Sequence, residues 1–543
     1  MKISGQFVDI HKREIYPAVI SVLDGRIEKI ERAVKAPAVL ILPGLIDSHI
    51  HIESSMVTPG AFAMAAVKHG TTGVVSDPHE IANVLGVKGV LYMISDAKKV
   101  PLKFYFGAPS CVPATPFETS GATLDHNEIE RLLELPEIKY LSEMMNYPGV
   151  IYNDEEVHLK LNIAKRLRKP VDGHAPGLTG DSLRKYVSAG ISTDHECSTL
   201  AEAREKIDLG MKILIREGSA ARNLNALKDL YRTNPDMIML CSDDLHPEML
   251  QIKHINKLIA GLIEEGYDKF DVIRSATVNP VTHYNIDSGL LKPGDSADFI
   301  LVDNLQTMNV IETWIEGNKI FSNGKVLFKY KPGKAVNNFN CLPVTEEDIR
   351  VKNKGGNIRI IETFDGELLT KGFAVKAGSM KLVEADTDND ILKIVVKDRY
   401  KDSPPAIGFI KGFGLKKGAF ASSIAHDSHN IISIGTSDKD IVNAINEIVR
   451  LKGGLAVSSE GELKSLQLDI AGIMTTSSCS EVALDYENLN KLVKSCGCTM
   501  KAPFMTLSFM ALLVIPDLKI GDKGLFDVKK FGLVPLFEKQ TSS

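Results

Sequence analysis

His49 and His51 lie two residues apart in the segment LPGLIDSHIHIESS, residues 42–55. Ile46, Ile50 and Ile52 alternate with Asp47, His49 and His51. An extended segment therefore puts both imidazoles on one face and the apolar side chains on the other. Two neutral imidazoles so placed suit a divalent transition metal, and Asp47 is spaced to orient them as a hydrogen-bond acceptor. An isolated pair of this kind would equally serve as surface histidines on an edge strand. The rest of the chain decides, because it supplies further ligand-type residues in a regular order.

From His49 onward, short apolar stretches alternate with helical ones, the pattern of parallel βα units. Eight strands can be counted, most ending in a polar cluster. The first ends at His49 and His51, and the second, TTGVVSDPHE, leads to Asp77, His79 and Glu80. The third is KFYFGAPSCVP, the fourth carries Glu143 in IKYLSEMMN, and the fifth carries His174 in PVDGHAPG. The sixth holds His195 in GISTDHECS, the seventh Arg216 and Glu217 in MKILIREGS, and the eighth Asp243 and Asp244 in MIMLCSDDLHP. Ionisable residues at the C-terminal ends of eight βα units predict a (β/α)8 barrel with its site at that face.

The elements that position these residues fall into three groups. Residues 1–44 read as short strands, with a hairpin turn at Asp24-Gly25. Residues 285–335 return to a β pattern, with two strands meeting at Gly317-Asn318. These two stretches are expected to pair into one small β-sandwich domain bracketing the barrel at 45–284. Residues 340–543 are expected to form a separate C-terminal α+β domain. Within it, Ile441, Ile445, Ile448 and Val449 share a helical face, Ser437 and Asp440 are spaced as a capping box, and Gly453-Gly454 end the helix.

Composition narrows the class of function. A chain of 543 residues, 44% hydrophobic and 24% charged, has the make-up of a soluble globular protein with room for more than one core. The formal charge of −5 gives no reason to expect nucleic acid or an anionic membrane as partner. No run reaches the roughly 18–20 apolar residues of a membrane span, and the first residues lack a basic stretch leading into an apolar one. Seven scattered cysteines without a paired CxxC pattern fit a reducing cytoplasm.

The frame that opens with PGLIDSHIHIE and closes with SDD and PGDSADFILVD resembles the amidohydrolase superfamily of metal-dependent hydrolases. Within that superfamily, DSHIHIESSMVTPGAFA, HGTTGVVSDPHEIANVLG, SEMMNYPGV, DGHAPGL, STDHE and SSIAHDSHNI are similar to the adenine deaminase family. The resemblance spans nearly the whole chain. It implies that His49, His51, His174 and His195 ligate two divalent cations, Mn²⁺ or Fe²⁺ ahead of Zn²⁺. It also implies that Asp243 binds metal and moves protons, and that Glu143 bridges the two cations where many relatives use a carboxylated lysine. The implied substrate is the small molecule adenine, and the implied assembly is a homodimer.

That chemistry is sound by itself. The C6 amine of adenine is a poor leaving group, so hydrolysis needs a strong nucleophile at neutral pH and protonation of ring and amine. Two cations bridged by a carboxylate acidify a shared water enough to provide hydroxide. Asp243 would pass a proton to the amine, and a further acid would protonate N1. Glu217 is the first candidate for that acid and Glu80 the second, although Glu217 could instead pair with Arg216 or Arg222. The PCxxC pattern of the zinc base deaminases is absent.

Asp77 and His79 are expected to shape the pocket, Asp244 to support a ligand histidine, and His246 to lie on the loop surface. His426, Asp427 and His429 form a dense polar group expected to contact substrate. His11, His69, His126, His158, His254 and His283 carry no functional expectation. Two alternatives remain open at this level: a hydrolase of another purine, a pterin or a cyclic amide, and a metal-free binding or scaffold protein of the same fold.

Overall fold

The computed structural model describes residues 1–219 and 221–538, so the last five residues of the expected C-terminal span lie outside it. The chain divides into two units. The first holds 1–78, 91–110 and 125–333, and the second holds 79–90, 111–124 and 334–543. Two excursions from the barrel sequence, after its second and third strands, thus belong to the second unit.

In the first unit, eight parallel strands form the barrel: Leu45–Ile50, Thr71–Ser76, Lys103–Ala108, Ile138–Met144, Val171–Gly173, Thr193–Asp194, Lys212–Arg216 and Ile238–Cys241. The first five pair in sequence order, as do the last three. Parallel bridges from Val171 to Ile191 and from Ile50 to Asp243 join the two sets and close the ring. The strands are short because brief apolar runs are bounded by polar residues, and their two faces are sorted by side chain. Ile46, Val75, Tyr105, Tyr140, Leu214, Met239 and Cys241 fill the barrel interior. Leu45, Ile213, Ile215, Ile238 and Leu240 pack outward against the helices. Alternate residues of one strand thus belong to different cores.

Strands from 2–43 and from 299–326 make one eight-stranded sheet, in which Leu40–Pro43 pairs with Phe299–Val302. A bridge between Arg26 and Ser296 curls the sheet around Phe7, Ile20, Ile41, Phe299 and Trp314. Asp24 and Gly25, with φ of 48° and 75°, make the tight turn of the first hairpin. The second hairpin turns one residue earlier than expected. Glu316 and Gly317 take φ of 49° and 70°, and Asn318 already starts the next strand. The reason is the register, which pairs Ile315 with Asn318 across a two-residue loop.

The second unit is built on an eight-stranded sheet of strands between 357 and 467. Helix Asp438–Leu451 begins at Ser437, whose hydroxyl accepts the Asp440 amide, and lays Ile441, Ala444, Ile445 and Ile448 on Val395, Ala421, Ile431 and Ala456. Val449, expected on the same face, is only partly buried. Among the described residues, no helix is long and apolar enough to cross a membrane.

Two buried charges make the packing testable. Asp298 is fully buried and collects Lys103 Nζ at 2.8 Å, the Gly289 amide at 2.9 Å and the Glu316 amide at 2.9 Å. It thereby ties the third barrel strand to the curled sheet. Removing one partner of a buried pair strands the other, so Asp298→Ala should cost about 3–5 kcal/mol, read as a lower thermal unfolding midpoint of the first unit. In the second unit, Lys519 Nζ donates to the carbonyls of Leu368 at 2.7 Å and Phe509 at 3.0 Å, and burial pushes its ammonium from 10.5 down to about 7. Between those values the unfolded chain binds more protons than the folded one, so stability rises with pH across that window. The penalty is fully present below about pH 7. The stability of Lys519→Met relative to the parent should accordingly fall as pH rises from about 7 to about 10 in calorimetric scans.

Candidate metal and catalytic site

The first strand is irregular between Asp47 and Ile50, where its pairing with the second strand shifts. That irregularity lets His49 point to the centre although strict alternation from Leu45 would send it outward. His51 follows at the start of a 3-10 turn, Ile52–Ser55, and its Nδ1–H donates to the Asp77 carbonyl at 3.1 Å. This makes Nε2 the ligand atom and turns it toward the other imidazoles. Asp243 ends the eighth strand in the left-handed region at φ 55°, which aspartate tolerates. Its amide donates to the His49 carbonyl at 2.9 Å.

Four imidazoles and two carboxylates converge here, and all six residues are buried. His49 Nε2 and His51 Nε2 face each other at 3.2 Å. Glu143 directs Oε1 at His51 Nε2, 3.2 Å away, and Oε2 at His174 Nδ1 and His195 Nε2, 2.7 and 3.2 Å away. One oxygen serves each pair of histidines. Asp243 Oδ1 lies 3.3 Å from His51 Nε2 and 3.6 Å from His49 Nε2. The His49 and His195 rings stack at 4.4 Å. The ligand atoms of His49, His195 and Asp243 lie within 4.8 Å of one another, as do those of Glu143, His174 and His195.

The electrostatics follow from this crowding. Burial drives the His49 imidazole well down, and the charge of His195 adds to the effect. Burial also opposes charge on His195, but Glu143, Asp243 and Glu196 outweigh it and raise that group to about 9. Burial alone would raise both carboxyls. The charge of His195 and the hydrogen bonds of His174, His195 and His51 hold Glu143 well below its usual range, and Arg216 with His51 does the same for Asp243. Burial likewise opposes charge on His51 and His174, but Asp243 and Glu143 raise the first imidazole and Glu196 and Glu143 the second, so protons gather where a divalent cation would bind in exchange for them. His174 Nε2, buried and without a hydrogen-bond partner among the described residues, fits the same donor set.

Of the other expected residues, Asp47 and His246 depart from the sequence reading, whereas Asp77 holds a ligand histidine and the ligand-type atoms of Asp244, His51 and Asp243 lie within 4.8 Å of one another. Asp47 holds the backbone amide of His49 and a different imidazole, that of His254. It accepts the His49 amide at 3.3 Å, the Ser242 amide at 3.0 Å, the Ser242 hydroxyl, and His254 Nε2 at 2.8 Å, so it fixes backbone. Asp77 supports His51 through its carbonyl, while its carboxylate accepts Ser142 Oγ at 2.7 Å. The Asp244 carboxylate accepts Ser54 Oγ at 2.6 Å. His246 is 5% exposed and so is not on the loop surface, because its amide is held by Ser219 Oγ at 2.9 Å as it caps helix Pro247–Ile252.

On the seventh strand, Leu214 fills the barrel interior, and Arg216 has the same parity. Its guanidinium reaches Asp243 Oδ2 at 2.7 Å and Glu196. Glu217, of opposite parity, lies 3.6 Å from Arg222 and lines a small cavity with Ser242, Lys253 and His254. Period-two counting along KILIREG would have found Arg216, and Glu196 closes the STDHE motif; no local signal marks His254.

His79, Glu80, His426, Asp427 and His429 belong to the second unit, and all are buried. His79 Nε2 and His426 Nδ1 lie 3.6 and 3.8 Å from Asp427 Oδ1. Glu80 lies 3.7 Å from His426 Nδ1 and 3.9 Å from His429 Nε2. His426 stacks on Phe509 with ring centres 4.9 Å apart. Burial and the charge of Asp427 push Glu118 up to about 8, so this unit also holds a neutral carboxylic acid that the sequence did not reveal.

Comparison with known proteins agrees with this geometry. Residues 40–325 match the amidohydrolase family, and residues 367–532 match the adenine deaminase C-terminal domain. The adenine deaminase of Methanosarcina mazei is 51% identical, over 99% of both chains. That of Salinibacter ruber is 50% identical over 98% of both, and that of Borreliella burgdorferi 45% identical over 98% of this chain and 99% of its own. On this combination of barrel, converging ligands and full-length likeness, the chain belongs to the adenine deaminase family of the amidohydrolases.

Proposed function

We propose that this chain hydrolyses adenine to hypoxanthine and ammonia, using two divalent cations held by His49, His51, Glu143, His174, His195 and Asp243. The observation that carries the reading is Glu143, whose two oxygens each face one pair of buried histidines. Imidazole and carboxylate without thiolate suit Mn²⁺ or Fe²⁺, with Zn²⁺ also accepted. When bound, such cations supply a water acidified to near-neutral pKa.

The chain's own residues manage the protons. Asp243 takes a proton from the attacking water and delivers it to the C6 amine, which leaves as ammonia. Glu80 gives a proton to N1 as the ring loses aromaticity and is reprotonated by the proton that the C6 hydroxyl releases as it becomes the carbonyl of hypoxanthine. Glu80 is preferred to Glu217 on position: Glu217 has the opposite parity to Arg216 on its strand and lies 3.6 Å from Arg222, although burial raises its carboxyl against the cations Arg222 and Lys253. His426, Asp427 and His429 are proposed to contact the ring. Seven buried cysteines without a disulfide among them support a reducing, cytoplasmic setting.

Protein purified with added Mn²⁺ should release ammonia and hypoxanthine from adenine in equal amounts, and His51→Ala should not. Glu80→Gln should keep its metal and lose about 10²–10⁴ in kcat, the usual share of one general acid, with a smaller effect from Glu217→Gln. Bound metal with adenine untouched would remove the substrate assignment and direct assays to other purines, pterins and cyclic amides. A chain that retains no metal would remove the hydrolase reading altogether.

Cation binding should also stabilise the fold by about 2.7 kcal/mol when free Mn²⁺ is about 100 times its dissociation constant. Thermal scans over a manganese series should show that rise in the parent and not in Glu143→Ala, which loses the oxygen facing each histidine pair.

A further inference from the structure

We infer that Arg216 and Glu196 form a clamp that fixes the rotation of the Asp243 carboxylate, making Arg216 a positioning residue for the proton transfers proposed above. The inference rests on that reading for its consequence and on separate geometry for its existence. Arg216 Nη1 donates to Asp243 Oδ2 at 2.7 Å and also to Glu196 Oε1, while Nη2 donates to Glu196 Oε2 at 3.0 Å. The fork on Glu196 is bidentate, which fixes the guanidinium plane as a single ammonium could not. All three side chains are at least nine-tenths buried.

The clamp is itself anchored. The Arg216 amide donates to Asn223 Oδ1 at 2.8 Å, and Asn223 Nδ2 donates to the carbonyls of His195 and Cys197 at 3.0 and 3.1 Å. The Glu196 amide donates to Asp194 Oδ2 at 3.2 Å, and fully buried Lys206 donates to that same carboxylate at 2.8 Å. Lys206 also reaches the Ala175 carbonyl at 2.8 Å, beside His174. The ends of the fifth, sixth and seventh strands are thereby bound to one another before they meet Asp243.

The consequence lies in how the two oxygens of Asp243 are used. Oδ2 is occupied by a permanent donor, and Oδ1 faces the imidazoles of His49 and His51. A carboxylate held in this way cannot turn between accepting a proton from water and returning it to the amine. The same oxygen then faces the reacting centre in both steps, which is the orientation advantage that general acid–base catalysis depends on. Glu196 offsets part of the charge that Arg216 places beside Asp243, and its Oε1 also lies 3.5 Å from His195 Nε2 and 3.7 Å from His174 Nδ1.

The test compares the parent with Arg216→Met, Arg216→Lys and Glu196→Gln, all as full chains reconstituted with Mn²⁺. Metal content and the electron paramagnetic resonance spectrum of bound manganese are recorded first, without substrate. Steady-state constants for adenine and the solvent deuterium isotope effect on kcat follow. Arg216→Met is expected to bind two Mn²⁺, keep KM within about threefold, lose at least about 100-fold in kcat, and show a larger isotope effect as proton transfer becomes limiting. Arg216→Lys should recover part of the loss, and Glu196→Gln should resemble Arg216→Lys. A kcat within about fivefold of the parent in Arg216→Met would overturn the clamp, as would a loss of activity that tracks lost metal one for one. Should the parent itself leave adenine untouched, the deamination reading fails separately. The clamp is then judged on the manganese spectrum, supported by a change in Arg216→Met and overturned by identity with the parent.

Discussion

Glu143 holds two pairs of histidines together inside a barrel mouth from which solvent has been removed. Four imidazoles and two carboxylates meet there at about 3 Å, the carboxylates drawing charge onto the imidazoles of His51, His174 and His195, and burial makes every uncompensated charge costly. A divalent cation, as the amidohydrolase family suggests, would take these lone pairs in place of protons. The arrangement of the surrounding barrel is a consequence of having to present those six groups from five different strands.

That presentation is done mainly through backbone. Asp47 gathers the amides of His49 and Ser242, so the first and eighth strands close the ring at the level of the ligands. The Asp77 carbonyl sets the tautomer of His51, and Asp194 holds the amides of Ala175 and Glu196 next to His174 and His195. Each is a buried carboxylate or carbonyl acting on the residue beside a ligand. Rigid support of this sort is what keeps a site within the tolerance that catalysis demands.

The second unit contributes a group of buried polar residues. His79, Glu80, Glu118, His426, Asp427 and His429 are all buried and come from three separate stretches of its sequence. The neutral state favoured for His429 by burial, and for Glu118 by burial and Asp427, keeps this group from accumulating like charges. Its helix and sheet pack by ordinary apolar contacts, which leaves the polar cluster as the feature out of keeping with a purely structural role.

The sequence by itself determined the eight strands, the residues at their ends and the ligand types, because strand periodicity and residue chemistry are local properties. It also carried the likeness of motifs from Asp47 to the SIAHDSHN segment. Tertiary structure decided what each end residue touches. Parity along the seventh strand sends Arg216 inward and Glu217 outward, yet only the closed ring brings Arg216 to Asp243, 27 positions away. Asp47 and His254, 207 positions apart, meet for the same reason. The bend that turns His49 inward is a pairing irregularity between two strands, which no single strand encodes. Local pattern fixes which groups are available, and closure of the sheet fixes their partners, because contacts between distant segments depend on register and burial across the whole barrel.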